Sequence, residues 1–334
     1  TIIEGNQRVL KARLADASFF WKTDTSNTFE NWNSKLKKVL FYEDLGSVYD
    51  KTIRMSKISK TFSAFFNVKA SLAREAALLS KSDLVSEMVG EFPELQGIMG
   101  GYYSKLSGMS EDISTAIFEH YKPKGLSDNL PETKLGSLLS MIDKIDTLTG
   151  FFVINKKPSG SKDPFALRRT GFSIAQILIN FKLNMTIEDL FITSLKTYKN
   201  SSDSIKIDLI NFIIDKIKFV LKKQGFSDSI VESVFSLPNI NDLKFQTIYK
   251  RIEVLSNIGT SSNFKLFLTN FKRLNNILKT NELPVSLNAK VNVELFQESE
   301  EQDIYNASNT LELKTKQYEV TLDQETYLKD LIKL

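Results

Sequence analysis

The sequence predicts an all-α protein. Apolar residues recur at helical spacing along nearly the whole chain, and Val, Ile and Thr do not alternate with polar residues as they do in half-buried strands. Of the 334 residues, 42% are hydrophobic and 25% are charged, which is enough apolar surface for two or three packed domains. No window approaches about eighteen consecutive apolar residues, so we expect no membrane-spanning helix.

The predicted helices follow one another with short breaks. Ser110 precedes two acids and should cap a helix, while Asp163 and Pro164 should open another after a Pro/Ser/Gly loop. Pro93 and the glycine pair at 100–101 predict a loop, and Gly225 predicts a helix end. The predicted helices are 4–21, 28–43, 47–63, 70–89, 110–122, a segment through Met141, Asp143 and Asp146, 163–181, 186–200, 205–224, 228–236, 241–257, 262–279, 292–316 and one from about Leu322.

Composition excludes several kinds of chemistry. The chain has no cysteine, which rules out disulfides, zinc–thiolate sites and thiol nucleophiles. His120 is its one histidine, so metal sites that need several histidines cannot be assembled. We interpret His120, near a predicted helix end, as a capping or packing residue. No phosphate-loop or dinucleotide-binding glycine motif occurs.

Charge is spread unevenly. Residues 1–150 hold 19 basic and 19 acidic residues, residues 151–280 hold 20 and 10, and residues 281–334 hold 5 and 11. A basic middle suits a polyanion such as nucleic acid, because lysines and arginines neutralise phosphates and release counterions. A solvated basic face explains the same excess, so charge alone does not decide between the two.

Four carboxylates form a candidate cluster. Asp83 and Glu87 lie four residues apart on one predicted helix and should share a face, as should Asp143 and Asp146, three apart on another. Two such helices packed together could hold a hard cation on oxygen ligands. The alternative is that these acids are helix caps and ion-pair partners.

Two basic segments are candidates for binding RNA. In GSKDPFALRR, Arg168 and Arg169 lie in the second turn of a predicted helix, with Lys162 nearby, and the free N–H groups of a helix N-terminus favour a phosphate. The alternative is that one arginine pairs with a buried acid, Asp143 or Asp146. The second segment, FKRLNNILK, presents the cations Lys272, Arg273 and Lys279, and its alternative is an ordinary amphipathic helix.

The sequence resembles the β subunit of bacterial heterotetrameric glycyl-tRNA synthetase. Six blocks carry the resemblance in the family's order: GNQRVLKARLADASFFWKTD, KVLFYEDLGSVYDKTIRM, KSDLVSEMVGEFPELQGIMGGYY, EHYKPKGLSDNLPET, the helix from Asp143 to Gly150 with SKDPFALRR, and FKRLNNILK. The resemblance implies an HD-like helical domain at 1–182, a helical linker at 183–238 and an anticodon-binding-like bundle at 239–334, truncated at its end. We expect a piece of a longer subunit, roughly its carboxyl-terminal half.

The resemblance also implies how the acids and the function are arranged. Asp83 follows Ser82 where an HD enzyme has its His-Asp pair, and Asp143 or Asp146 stands at the later aspartate, which implies a degenerate metal site without a metal. In the family, ATP, Mg and glycine are handled by the α subunit, while the β subunit binds and positions glycine tRNA. We therefore expect a non-catalytic part of a cytoplasmic ligase, with the α subunit and glycine tRNA as partners and neither membrane nor DNA. The alternatives are a metal-dependent HD-type phosphohydrolase and a non-enzymatic helical protein-interaction scaffold.

Overall fold

A computed structural model describes residues 2–238, 240–259, 262–280 and 291–321. Within these ranges the predicted all-α class is confirmed, and no helix there combines the length and apolar character that crossing a membrane requires. The helices are α1 (Ile2–Thr25), α2 (Phe29–Leu36), α3 (Val48–Phe66), α4 (Ala70–Leu79), α5 (Glu87–Glu91), α6 (Ile98–Leu106), α7 (Glu111–Glu119), α8 (Lys134–Val153), α9 (Leu167–Phe181), α10 (Asp189–Leu195), α11 (Asp203–Lys223), α12 (Asp228–Phe235), α13 (Phe245–Ile258), α14 (Ser262–Thr280) and α15 (Ser299–Thr321). The helix predicted from Leu322 lies outside the described residues.

The chain divides into two compact units. Among the described residues, the first unit comprises 2–225, 236–238 and 240–248, and the second comprises 226–235, 249–259, 262–280 and 291–321. Residues 183–225, expected to belong to a linker, pack within the first unit, and α12 belongs to the second. The division into domains at 182 and 238 stays a prediction from the family resemblance.

Helix α8 is the centre of the first unit. Most of its side chains are buried, which explains why its sequence is apolar on nearly every side. It packs against α3, α4, α7, α9, α10 and α11, so residues on six helices can reach its polar positions. A second apolar cluster forms around Trp32 and Tyr103, whose ring centroids are 5.1 Å apart, and the end of α1 packs on that cluster through Ala17 and Phe20.

The predicted helix at 28–43 is wrong beyond Leu36. Two short strands follow α2 instead, β1 (Leu40–Tyr42) and β2 (Gly46–Ser47), paired antiparallel with Leu40 opposite Ser47. Gly46 has a φ of +81°, a conformation that favours glycine and turns the chain. The Ser47 side chain then caps α3, in a reciprocal arrangement with the carboxylate of Asp50.

The predicted helix at 70–89 is two helices. Helix α4 ends at Leu79, a 3-10 turn covers Ser82–Val85, and α5 begins at Glu87. The serines between them compete for backbone groups, since Ser80 donates to the carbonyl of Ala77 and Ser86 caps α5 through the N–H of Val89. Asp83 and Glu87 therefore do not share a helix face.

The glycine pair at 100–101 lies inside α6 and not in the predicted loop. A Cβ on Gly100 would stand 2.8 Å from Cγ2 of Ile117, and a Cβ on Gly101 would stand 2.8 Å from Cβ of Phe118. Both neighbours belong to α7. The glycines are needed because α6 and α7 approach each other too closely for a side chain, so this pair marks packing and not a break in the helix.

Candidate functional site

The buried acids of α8 lie opposite a matching pair of bases on α3. Asp143 and Asp146 are three residues apart on α8, and Lys51 and Arg54 are three apart on α3, so each pair lies on one helix face. The Lys51 Nζ is 2.9 Å from Oδ1 of Asp143 and 3.3 Å from Oδ2 of Asp146. All four side chains are buried, so this cluster neutralises its own charge inside the core.

Asp146 is held mainly by Arg54. The guanidinium donates from Nε to Oδ1 at 2.8 Å and from Nη2 to Oδ2 at 3.1 Å, a two-pronged geometry that suits a carboxylate. The Tyr198 hydroxyl donates to Oδ1 at 2.9 Å, and Arg54 also donates to the carbonyl of Leu45. Every oxygen of this buried carboxylate therefore has a donor.

Lys81 completes the cluster around Asp143. Its Nζ donates to Oδ2 of Asp143 at 2.8 Å and lies 2.9 Å from Nε2 of His120 and 3.8 Å from the centre of the Tyr121 ring. Burial alone would raise the pKa of Asp143, but Lys51 and Lys81 hold that pKa well below its usual value. Asp143 is therefore an anion between two ammonium groups.

His120 is an acceptor inside this network. Its Nδ1 donates to the carbonyl of Ile117 at 2.6 Å, which leaves Nε2 to accept from Lys81. Burial and the Lys81 charge lower the pKa of His120 well below its usual value, so the ring is neutral. This geometry agrees with the packing role expected from the sequence.

Asp83 and Glu87 have separate roles and do not form the predicted acidic face. Oδ2 of Asp83 accepts from the backbone N–H groups of Gly97 and Gly100, at 2.6 and 3.0 Å, and so caps the start of α6. Burial raises the pKa of Asp83 to about 6. Glu87 is exposed, and its backbone N–H donates to the buried carboxylate of Asp24.

The carboxylates are arranged for ion pairs and caps. Lys51, Lys81 and Arg54 contact the oxygens of Asp143 and Asp146 that a metal ion would need as ligands. Oδ2 of Asp83 accepts backbone N–H groups at the start of α6. Over the described part of the chain, no group of three or more metal-binding side chains could hold an ion. Sequence reasoning missed Lys51, Arg54 and Lys81. The one feature of the sequence that points to them is that Lys51 and Arg54 are three residues apart, the same spacing as Asp143 and Asp146.

Helix α9 begins three residues later than its sequence predicts. Its first residue is Leu167, after Ala166 in a left-handed conformation, so Arg168 lies in the first turn and not the second. The Asp163 carboxylate accepts from the N–H groups of Leu167 and Arg168, at 2.8 and 2.9 Å. These N–H groups were predicted to be free for a phosphate, and that prediction is wrong because the local acid caps them.

The predicted basic residues of the first unit face outward. Neither Arg168 nor Arg169 pairs with Asp143 or Asp146, because Arg54 and the two lysines hold those acids. Arg168 donates from Nη2 to the carbonyl of Gly160 at 2.5 Å, which folds the loop back on the helix. Lys162 and Arg169 are exposed, and neither side chain forms an ion pair within the described ranges.

The predicted cations of the second unit lie on α14. Lys272 and Arg273 are exposed there. The Lys279 side chain falls outside the described residues. The structure therefore provides exposed cations in each unit.

By its fold and its buried acids, the chain is an all-α protein whose buried aspartates serve internal ion pairs and helix caps. A family described as glycyl-tRNA synthetase beta subunit matches residues 1–236. The chain belongs to this family, as its sequence blocks predicted.

Relatives agree over almost the whole chain. It is 37% identical to a glycine–tRNA ligase beta subunit of Buchnera aphidicola subsp. Schizaphis graminum (strain Sg), across 100% of this chain and 48% of that protein. It is 42% identical to the beta subunit of Rickettsia canadensis (strain McKiel), across 83% of this chain and 40% of that protein. It is 36% identical to the beta subunit of Clostridioides difficile (strain 630), across 98% of this chain and 48% of that protein. The chain spans about half the length of the curated relatives it matches. Its expected place in their carboxyl-terminal half stays a prediction.

Proposed function

We propose that this chain is a part of a glycine–tRNA ligase β subunit that binds and positions glycine tRNA for glycylation at the α subunit. The observation that carries the proposal is membership of the β-subunit family, with relatives named glycine–tRNA ligase beta subunit matching along the chain. ATP and Mg²⁺ are handled at the α subunit in this scheme, and the chain contributes binding energy and orientation, which bring reacting groups together.

Exposed lysines and arginines are the groups that would bind the tRNA backbone. Lys162 and Arg169 of the first unit, and Lys272 and Arg273 of the second, are open to solvent, in a stretch of sequence with a net charge of +10 over residues 151–280. Such side chains neutralise backbone phosphates and fix the register of an RNA without reading its bases. They therefore support electrostatic capture of tRNA.

The acidic cluster supports the non-catalytic assignment over the phosphohydrolase alternative. A metal at Asp143 and Asp146 would have to displace Lys51, Lys81 and the Arg54 fork, each of which is buried with the carboxylates. Removing those partners leaves buried cations without counter-ions, at a cost of about 3–5 kcal/mol for each broken pair. The cluster is consequently stable as an ion-pair network.

Aminoacylation by the complete ligase tests the proposal. In a ligase whose β subunit carries Lys162→Ala and Arg169→Ala, the KM for tRNA should rise, because two phosphate contacts are lost. The slope of log KM against log salt should fall by about two, roughly one for each cation. Glycine-dependent exchange of pyrophosphate into ATP, which needs no tRNA, should be unchanged.

The control removes the same charge elsewhere. Lys57 and Lys60 are exposed on α3, in the half of the chain whose charges balance. Lys57→Ala with Lys60→Ala should leave the KM for tRNA and its salt slope as they were. Equal effects from both double variants, or a loss of pyrophosphate exchange with Lys162→Ala and Arg169→Ala, would contradict the proposal.

A further inference from the structure

Helices α9 and α11 together carry a face on which aromatic rings alternate with cations. Phe212, Lys216, Phe219 and Lys223 follow one another at intervals of four, three and four residues, which places them along one side of α11. On α9, Arg168 and Phe172 are four residues apart and lie on one side of that helix. We call these six residues the α9–α11 face.

The rings and lysines of the α9–α11 face lie in contact with one another. The centroids of Phe172 and Phe219 are 4.9 Å apart, and Nζ of Lys216 lies 4.7 Å from the centroid of Phe212 and 5.5 Å from that of Phe172. Nζ of Lys223 lies 5.7 Å from the Phe219 centroid. These distances are those of cation–π contacts, so the lysines are positioned by the rings beneath them.

Gly171 allows the two helices to come this close. A Cβ there would stand 2.8 Å from Cε1 of Phe212 and 2.9 Å from Cγ of Lys216. Those positions are closer than real Cβ atoms come to their neighbours, so α11 lies directly on the backbone of α9 at this point. The geometry of the α9–α11 face is therefore set by helix packing and not by mobile loops.

The face is partly open to solvent and carries positive charge that no acid cancels by direct pairing within the described residues. Phe219 is 38% exposed, and Lys223 is exposed beside it. Burial lowers the pKa of Lys216, which the nearby Asp215 partly offsets, and neither Lys216 nor Lys223 forms an ion pair in the described part of the chain. Of the other neighbouring acids, Asp163 caps α9 and Asp208 pairs with Lys157.

We propose that the α9–α11 face binds an unpaired nucleotide of RNA, with its base on the Phe219 ring and the adjoining phosphates on Lys216, Lys223 and Arg168. This inference rests on the proposed function and names the part of tRNA that the chain would hold. Base–aromatic stacking tolerates any base, and flanking cations supply the charge that the backbone requires. Charge complementarity favours RNA over a protein partner, because the exposed Phe219 ring has a lysine three residues before it and another four residues after it on the same helix.

Two substitutions at one position test the proposal. Phe219→Leu keeps an apolar side chain but removes the ring, and it should weaken binding of this chain to glycine tRNA by about fivefold or more. Phe219→Trp keeps a stacking surface and should bind within about twofold of the unchanged chain. Binding is measured by fluorescence anisotropy of labelled tRNA at one fixed salt concentration, and the folded state of each variant is checked by circular dichroism.

Phe118 provides a matched control. It is also 38% exposed, and Nζ of Lys122 lies 5.9 Å from its ring centroid, but it belongs to α7. Phe118→Leu should leave the affinity for tRNA unchanged. Full affinity in Phe219→Leu would overturn the proposal, as would equal weakening in Phe219→Leu and Phe219→Trp, which would indicate a packing role or a protein-binding surface.

The outcome separates this proposal from the function on which it rests. If the unchanged chain binds tRNA with a clear salt dependence and Phe219→Leu binds equally well, only the nucleotide site on the α9–α11 face is refuted. If the unchanged chain does not bind tRNA, the proposed function fails together with it.

Discussion

At the scale of single residues, the first unit is organised by buried ion pairs. Asp143 lies between Lys51 and Lys81, and Asp146 is held by Arg54 and Tyr198. Buried charges are tolerated when each has a counter-ion and its remaining hydrogen-bonding groups are satisfied. The cluster joins α3, the segment after α4, the residues after α7, and α8, so it ties together parts of the chain that are distant in sequence.

Removing one charge from the cluster should therefore destabilise the first unit. Asp146→Asn keeps the shape of the side chain but leaves the Arg54 charge without its counter-ion, which should lower the free energy of unfolding by about 3–5 kcal/mol. Urea unfolding followed by tryptophan fluorescence measures this, because both tryptophans of the chain, Trp21 and Trp32, lie in the first unit.

An exposed pair provides the comparison for Asp146→Asn. Arg13 and Glu91 are 2.8 Å apart, but their side chains are about half exposed. Glu91→Gln should cost under about 1 kcal/mol, because solvent screens such a pair. A loss for Asp146→Asn as small as that for Glu91→Gln would mean that the buried cluster is not a stabilising network.

The sequence could predict the acids of this cluster more readily than their partners. The spacing of Asp143 and Asp146 is visible within four residues of one helix, whereas Lys51 and Lys81 lie 92 and 62 residues away from Asp143. The sequence around Lys51 or Lys81 contains nothing that distinguishes a buried lysine from the other basic residues, of which the chain has 44 in all. The pairing follows from the packing of α3 on α8, which periodicity does not specify.

At the scale of elements, long helices were predictable and short interruptions were not. Helices α8, α11 and α13 follow from helical periodicity because tertiary packing and local pattern agree there. The break after Leu79 depends on the hydrogen bonds of Ser80 and Ser86, and the helix at 98–106 depends on contacts with α7. In both places the local sequence favours neither helix nor loop strongly, and the conformation is determined by hydrogen bonds or packing contacts that the sequence pattern does not show.

The close approach of α6 and α7 can be tested at Gly100. Gly100→Ala places a Cβ 2.8 Å from Ile117 and 3.0 Å from Oδ2 of Asp83, the oxygen that caps α6. We expect a loss of about 1–3 kcal/mol in the free energy of unfolding, typical of overpacking a core. Tryptophan fluorescence reports it, since Tyr103 of α6 packs against Trp32.

Gly90 offers the same substitution without the clash. It lies in α5, and a Cβ there would have no neighbour within 4 Å. Gly90→Ala should be neutral or stabilise by up to about 1 kcal/mol, because alanine restricts the unfolded chain and favours helix. If Gly100→Ala were as well tolerated as Gly90→Ala, the glycine pair would have no role in packing α6 on α7.

At the scale of the whole molecule, the sequence blocks predict the family without any knowledge of the fold, and the match to related proteins confirms that family. Composition alone could not have done so, since a net charge of +4 is unremarkable and the excess over residues 151–280 has two explanations. Solvent exposure, which the sequence does not show, distinguishes two groups of cations. Lys162 and Arg169 are exposed and available to a ligand, whereas Lys51, Arg54 and Lys81 are buried in ion pairs within the core.

Binding of tRNA by this chain tests the central claim most directly. Affinity for glycine tRNA and for a non-cognate tRNA is measured by anisotropy across a series of salt concentrations. Binding of glycine tRNA with an affinity that falls steeply as salt rises is the expected result, because several phosphates are neutralised on binding. Affinity that is independent of salt, with no difference between the two tRNAs, would contradict tRNA positioning by this chain and favour the helical scaffold.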